Sequence, residues 1–351
     1  MSFQEKILDW YSLYKRTLPW REIDDPYKVW VSEIILQQTR VDQGTPYYYR
    51  FLETFPDVRS LADASEQSVL NVWKGLGYYS RARNMHLTAQ KVVEVFYGVF
   101  PKDYHTLIKL KGIGAYTAAA IASRCNNEKI AAIDGNVNRV IARYFGVSDD
   151  HDKPTAKVKI ALISNQLIPD NHPGDYNQAV MEYGAMVCTP ALPKCDTCIF
   201  QQECYALQND QISKLPTPKN KIQIRIRYFN YLHLMAPDGR VALNKRVGND
   251  IWKNLWDFPL IEAERLFDAN ELENSEKLKT ITANITGCAN VKDYIYKLSH
   301  QTLNVRFFTY YLSDLPEMAG TELVWVNPDT DKVPVPRLIE KFLLRNDIFF
   351  E

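Results

Sequence analysis

Four cysteines crowd into one short stretch, Cys188-x6-Cys195-x2-Cys198-x5-Cys204. Thiolates at such spacing converge on a soft metal centre, and the ligand type admits either tetrahedral zinc or an iron–sulfur cube. Zinc ribbons and knuckles usually pair two close-spaced cysteine hairpins. Here only one Cys-x2-Cys occurs, so the wide, uneven spacing suits the larger group better. Two carboxylates offer different chemistry. Glu33 sits in V-W-V-S-E-I-I-L-Q-Q (29–38) among Trp30, Ile34, Ile35 and Leu36. A carboxylate there is either on a solvated helix face or held in an apolar wall. In the second case desolvation raises its pKa and makes it a general acid. Asp134 opens the helical run Asn136–Phe145, where an aspartate serves as an N-cap. Ahead of it, L-K-G-I-G-A-Y (110–116) places Gly112 and Gly114 in a tight turn that opens a thin, alanine-rich helix, Tyr116–Arg124. Such a turn aims free backbone N–H groups at an anion.

The elements that must position these groups are helical as far as the cysteines. Apolar residues at helical spacing mark 3–14 (Ile7, Leu8, Trp10, Tyr11, Tyr14) and 29–38, with further helices over 45–100, 153–168 and 176–187. The segment K-G-L-G-Y-Y-S-R-A-R-N (74–84) is a glycine loop with two tyrosines and two arginines. It reads as a plain helix connection or as an aromatic and cationic surface for stacking and phosphate contact. After Cys204 the composition changes. Residues 208–224 are polar with two prolines and read as an exposed linker. Strand alternation then predicts 225–235, 241–243, 294–298, 304–312 and 322–326, with helices around 261–273 and 335–345.

The length of 351 residues suggests two or three domains. Net charge is zero overall and in each half, with 24 basic and 24 acidic side chains in 1–215 and 18 of each beyond. Bulk charge therefore gives no nucleic-acid signal, and any DNA contact must come from placed groups. No stretch approaches a membrane span and the N-terminus lacks a signal-peptide core. The expectation is a cytoplasmic monomer, nucleoid-associated if bacterial, with no membrane partner. Cys125 and Cys288 stand alone and read as inert thiols.

The Gly-x-Gly hairpin followed by Asp134 resembles the helix-hairpin-helix DNA glycosylases. The cysteine spacing resembles the cluster loop of the endonuclease III and MutY families. W-V-S-E-I-I-L-Q-Q-T (30–39), L-P-W-R (18–21), G-L-G-Y-Y-S-R-A-R-N and I-D-G-N-V resemble the MutY pattern specifically. Endonuclease III enzymes carry a nucleophilic lysine at the second residue after Gly-x-Gly, where this chain has Tyr116; Lys111 is out of register, and Asn138 stands where some members have a sugar-trapping lysine.

The resemblance implies an all-α glycosylase with an iron–sulfur loop, followed by an α+β Nudix-like domain. Its parts would be a helical unit (1–207) containing the hairpin (110–124) and a [4Fe–4S] loop (188–204), a linker (208–224), and a lesion-reading domain (225–351). The activity implied is monofunctional excision of flipped adenine from double-stranded DNA, opposite 8-oxoguanine or guanine. Glu33 would be the acid that protonates adenine and Asp134 the carboxylate under the cationic sugar, with Tyr116 and Asn136 orienting them. Arg21, Gln38, Thr39, Leu76, Tyr78, Gly112, Gly114, Ser299 and His300 would contact DNA or lesion, and Lys194 is a further candidate for phosphate. Cys188, Cys195, Cys198 and Cys204 would hold a structural [4Fe–4S] cluster. L-S-H (298–300) resembles the family's lesion loop with Leu298 in place of an aromatic residue, a side chain that can still wedge between bases. The dense acidic helix of a Nudix hydrolase is missing at 261–268. Two other readings are an endonuclease III-like glycosylase/lyase for oxidised pyrimidines and a non-catalytic lesion-binding protein.

Overall fold

A computed structural model describes residues 1–148, 154–217, 223–281, 288–298, 300–313, 323–328 and 333–345. The chain divides into two compact units. One holds Met1–Val72 and Ser80–Asn220; the other holds Trp73–Tyr79 and Lys221–Glu351. The grouping of Trp73–Tyr79 with the second unit departs from the boundaries expected above.

The first unit is helical: α1 (Phe3–Tyr14), α2 (Pro26–Leu36), α3 (Val41–Thr54), α4 (Val58–Asp63), α5 (Glu66–Trp73), α6 (Ser80–Phe96), α7 (Tyr104–Leu107), α8 (Ala115–Cys125), α9 (Gly135–Phe145), α10 (Pro154–Leu167), α11 (Pro173–Met186) and α12 (Tyr205–Gln208). The starts follow local chemistry. Ser2 and Glu5 close a capping box on α1, and Asp25 caps α2 ahead of Pro26. α2 is buried on nearly all sides, so a carboxylate within it has no solvated face to occupy. α8 buries Ala118, Ala119, Ala120 and Ala122, and their small size lets it pack close to its neighbours. One core cluster joins α1 (Phe3, Ile7, Trp10), α9 (Val137, Val140, Ile141) and α11 (Tyr176, Val180, Tyr183). At Gly184 a Cβ would stand 2.7 Å from the Cβ of Asn136, so the glycine sets how near α11 comes to the start of α9.

The second unit is a mixed sheet of β1 (Arg225–Met235), β2 (Val241–Lys245), β3 (Trp256–Asp257), β4 (Leu260–Ala263), β5 (Asn290–Lys297), β6 (Gln301–Tyr311) and β7 (Leu323–Val326), with α13 (Ala269–Glu273), α14 (Glu276–Ile281) and α15 (Arg337–Arg345). The order is β3-β2-β1-β6-β5, with β4 also on β1 and β7 on β2. β1 and β6 run parallel, from Arg225 opposite Gln301 to Met235 opposite Tyr311. α15 covers one face, where Phe342 stacks on Phe307 at 3.9 Å. On the other face Leu272 of α13 and Leu278 of α14 pack against Leu232, Leu234 and Phe308.

The expected helix at 261–273 is corrected here. Leu260–Ala263 is β4, pairing with Tyr228–Tyr231, and only 269–273 is helical. The acidic composition of I-E-A-E favoured a helix, but pairing with β1 and the Arg227 side chain beneath Glu262 override it. β5 begins at Asn290, four residues before the strand expected there.

Candidate active site

Glu33 lies in the last turns of α2 with 9 % of its surface exposed. Burial pushes its carboxyl up to about 7. The nearby Asp134 charge adds to that, while hydrogen bonds to Tyr116 and Gln178 and the Arg21 charge oppose it. Tyr116 stands in the first turn of α8, its hydroxyl 3.2 Å from Sδ of Met181. Burial, then the charges of Glu33 and Asp134, raise its phenol well above the usual range, so it remains a neutral donor.

Asp134 is the N-cap of α9: its Oδ1 accepts from the backbone N–H groups of Asn136 and Val137, both at 2.8 Å. Its Oδ2 accepts from the Asn136 side-chain amide at 2.6 Å. The cap and the chemistry proposed below are compatible, since a capping carboxylate keeps lone pairs for a second partner. Burial raises the Asp134 carboxyl, and the N–H groups of Val137 and Asn136 work against that shift. The helix N-terminus adds a further bias toward the ionised form.

Arginines organise the surroundings. Nη2 of Arg139 donates to Oδ1 of Asn136 at 2.8 Å and to the Gly184 carbonyl at 2.7 Å, and its Nε donates to the Cys188 carbonyl at 2.6 Å. Arg21, expected at the DNA surface, is turned inward instead. Its side chain is 8 % exposed and bonds the buried Glu182 and the Tyr11 hydroxyl. Arg16 also clasps Glu182, at 2.7 Å through both Nε and Nη2. Burial alone would raise Glu182, but these arginines hold it below its ordinary value, so two guanidinium groups share one ionised carboxylate. Gln178, Met181, Glu182, Arg139 and Arg143 were not picked out from the sequence. Their only signal there was a helical run at 176–187 and arginines spaced along α9.

The hairpin has the expected form. Gly112 adopts φ +80°, where an added Cβ would meet Asn84 at 2.7 Å. Gly114 caps α8 with no side-chain hydrogen bond, and an added Cβ there would meet nothing within 4 Å. No side chain caps the first amides of α8 at this N-cap. Gln38 is exposed with φ +59°, and Thr39 is half-buried. Arg81 is buried, not a surface cation: its Nη1 bonds the Ile34 and Ile35 carbonyls at 2.8 and 3.1 Å and also the Gln37 carbonyl, closing the C-terminus of α2.

Within the second unit, Tyr78 is 48 % exposed with φ +48°, whereas Leu76 is buried at 7 %. Leu76, expected to touch the opposite base, is therefore covered in this structure. His300 is exposed and its carbonyl accepts from the Arg225 N–H at 3.2 Å. Ser299 lies outside the described residues. Leu298 packs against the second unit's core, so its side chain is directed inward, away from the wedge position envisaged for it.

The four loop cysteines lie within electrostatic reach of one another. Burial first, then the charges of Cys198, Cys188 and Cys204, raises the Cys195 thiol. The Phe200 N–H and the Tyr183 hydroxyl donate to Cys198 Sγ at 3.4 and 3.0 Å, and Arg143 donates to Cys188 Sγ at 3.4 Å. Arg143 also binds the carbonyls of Thr189, Pro190 and Leu215, which pins the loop to α9. Donors aimed at sulfur fit thiolate ligands of a metal group. Among the described residues no three His, Cys, Asp or Glu side chains form a single-ion site. Lys194 is exposed beside Cys195. Cys125 is a protonated thiol, raised to about 12 by burial. No described helix is long and apolar enough to cross a membrane.

Comparison with known proteins defines the class. Residues 31–164 match the HhH-GPD superfamily of base excision DNA repair proteins, and residues 230–345 match the NUDIX domain. A thermostable thymine-DNA glycosylase structure superposes with a TM-score of 0.55 at 26 % identity, covering 59 % of this chain and 95 % of that one. The chain is therefore a helix-hairpin-helix base-excision glycosylase joined to a Nudix-like domain. Along 346 residues it is 34 % identical to the adenine DNA glycosylase of Buchnera aphidicola subsp. Baizongia pistaciae, covering 97 % of this chain and 96 % of the relative. The Mus musculus adenine DNA glycosylase is 41 % identical over 227 residues, 61 % of this chain and 44 % of the relative. The protein belongs to the adenine DNA glycosylase family.

Proposed function

We propose that this enzyme hydrolyses the N-glycosidic bond of adenine paired with 8-oxoguanine, and of adenine paired with guanine, in double-stranded DNA. The observation that carries the reading is a pair of buried carboxylates in mutual electrostatic reach, Glu33 and Asp134, on separate helices and with different hydrogen-bond partners. Glu33, held near pH 7, donates its proton to N7 of the flipped adenine. The C1′–N9 bond breaks with its electrons passing to the base, which leaves as neutral adenine. The oxocarbenium-like sugar is stabilised by the Asp134 carboxylate, which the α9 amides and Asn136 hold in place. Water adds to C1′ and its proton returns to Glu33. Tyr116 and Gln178 fix the Glu33 carboxyl from two sides. Tyr116 also stands where a Schiff-base lysine would be needed, which supports a monofunctional enzyme.

The Gly112–Gly114 hairpin would take a phosphate, Gln38 would probe the duplex around the flipped base, and Thr39 would touch the opposite guanine. Ser299 and His300 would contact 8-oxoguanine. Cys188, Cys195, Cys198 and Cys204 would hold a [4Fe–4S] cluster. When bound, the cluster supplies a structural cross-link of the 188–204 loop and no step of the hydrolysis. The protein would act as a monomer in the cytoplasm. Excision from a panel of duplexes tests this reading. Adenine opposite 8-oxoguanine should be released fastest, adenine opposite guanine next, and adenine opposite thymine and oxidised pyrimidines not at all. Release of oxidised pyrimidines instead of adenine would refute it.

A further inference from the structure

At one end of the second unit's sheet a buried arginine joins three separate pieces of chain. The Arg227 side chain is 4 % exposed. Its Nε and Nη2 bond both oxygens of Glu262 in β4, at 2.7 and 2.6 Å. Its Nη1 and Nη2 bond both oxygens of Asp250 in the β2–β3 connection, at 2.8 and 2.6 Å. Nη1 also donates to Oε1 of Gln301 at 3.1 Å. Gln301 is 7 % exposed and opens β6 immediately after Leu298–His300. The Leu298 N–H donates to the Gln301 carbonyl at 2.8 Å, and the Arg225 N–H to the His300 carbonyl at 3.2 Å. The β5–β6 connection is thereby tied to β1 by one backbone bond and one side-chain bond.

The composition of this corner calls for an explanation. The same sheet face is otherwise filled by Phe229, Tyr231, Leu303, Val305 and Phe307. Replacing a buried ionic network with packed apolar residues is often neutral or stabilising, so such a network is weak evidence for stability alone. What it supplies is geometry: a planar fork with fixed donor directions fastens each partner at one position. Leu298 packs into the core at one end of the connection, and the Arg227–Gln301 bond fastens the residue at its other end.

We propose that Arg227, acting through Gln301, is a positioning residue for lesion recognition: it fixes the start of β6 and with it His300, the described residue of the connection that meets 8-oxoguanine. This rests on the assignment of that connection as the lesion contact. Arg227 and Gln301 touch neither the adenine nor the reacting sugar, so they act on discrimination and not on bond cleavage.

Single-turnover excision of adenine opposite 8-oxoguanine and opposite guanine, in the full chain, tests the inference. Gln301→Met keeps the length and removes the acceptor while leaving the Arg227 carboxylate pairs intact. It should lower the 8-oxoguanine-to-guanine rate ratio about fivefold, the scale of one positioned hydrogen bond, with an unchanged rate opposite guanine and an unchanged thermal midpoint. Faster amide exchange at Leu298 should accompany it. A wild-type ratio in Gln301→Met would overturn the proposal. Ser299→Ala, run alongside, separates the two ideas. If it loses the preference while Gln301→Met keeps it, the connection reads the lesion without this support and the inference is wrong. If neither variant alters the ratio, the lesion assignment falls too.

Discussion

Asp134 and Asn136 are joined twice, once through backbone and once through side chain. Oδ1 of Asp134 accepts the Asn136 N–H at 2.8 Å, and Oδ2 accepts its side-chain amide at 2.6 Å. Both carboxylate oxygens are thereby oriented before any substrate enters. Arg139 extends the arrangement by holding Oδ1 of Asn136 from the far side while bonding the Cys188 carbonyl. The carboxylate proposed to meet positive charge is thus built into the start of α9 as its N-cap.

Glu33→Gln separates catalysis from stability. The Glu33 carboxyl rises from 4.5 to about 7 through burial, so the folded chain binds more protons than the unfolded chain across that interval. Its contribution is favourable below the unfolded value and is lost as pH rises through the folded one. Gln carries no such penalty. The variant should therefore gain on the wild type by about 1–3 kcal/mol between about pH 5 and about pH 8, read as denaturant midpoints at the two ends. Adenine excision should be abolished at both.

Tyr116→Phe should move the pH profile. In the proposed mechanism Glu33 acts in its protonated form, so the single-turnover rate should fall roughly tenfold per unit above about pH 7. The hydrogen bond to Tyr116 lowers the Glu33 pKa; its removal should shift that descending limb to higher pH. An unshifted limb would mean that Tyr116 does not act on Glu33.

The two hairpin glycines should differ. Gly112→Ala forces a Cβ onto a residue at φ +80° and against Asn84 at 2.7 Å. A loss of about 1–2 kcal/mol of stability is expected. Gly114→Ala meets nothing inside the protein. Its thermal midpoint should stay at the wild-type value while duplex affinity and its salt dependence fall, as measured by fluorescence anisotropy across a salt series.

Cys198→Ser tests the metal loop. Cys198 receives the Tyr183 hydroxyl and the Phe200 N–H, and Tyr183 lies in the core with Trp10 and Phe200. The variant should purify without the broad visible absorbance of an iron–sulfur protein, with depressed iron content and a lowered thermal midpoint. Full iron loading would contradict the ligand assignment.

Legibility from sequence followed how local each feature is. The cysteine spacing, the Gly-x-Gly turn and the Asp134 cap are short-range patterns, and each is visible without knowing the fold. Glu33 was ambiguous because a carboxylate in an apolar run looks the same whether the helix has one buried face or is buried all round; α2 is the second kind. The resemblance implies a DNA contact for Arg21, and the 74–84 loop reads as a surface that presents Arg81. Glu182, 161 residues from Arg21, and the open carbonyls of α2, 44 to 47 residues from Arg81, claim them instead. Gln178 and Met181 lie on α11, whose close approach to the start of α9 at Gly184 is not visible in the sequence. The strand β4 was hidden in an acidic segment whose partner, Arg227, sits 35 residues earlier.

The central claim is that two buried carboxylates excise adenine without breaking the strand. The most direct measurement is single-turnover processing of a duplex with adenine opposite 8-oxoguanine, with and without alkali, for wild type, Glu33→Gln and Asp134→Asn. Asn caps a helix about as well as Asp, so Asp134→Asn should fold normally. Its excision rate should nonetheless fall on the order of a thousandfold. The account predicts strand breaks only with the wild type and only after alkali. Breaks that form without alkali, or that persist in well-folded Asp134→Asn, would contradict it.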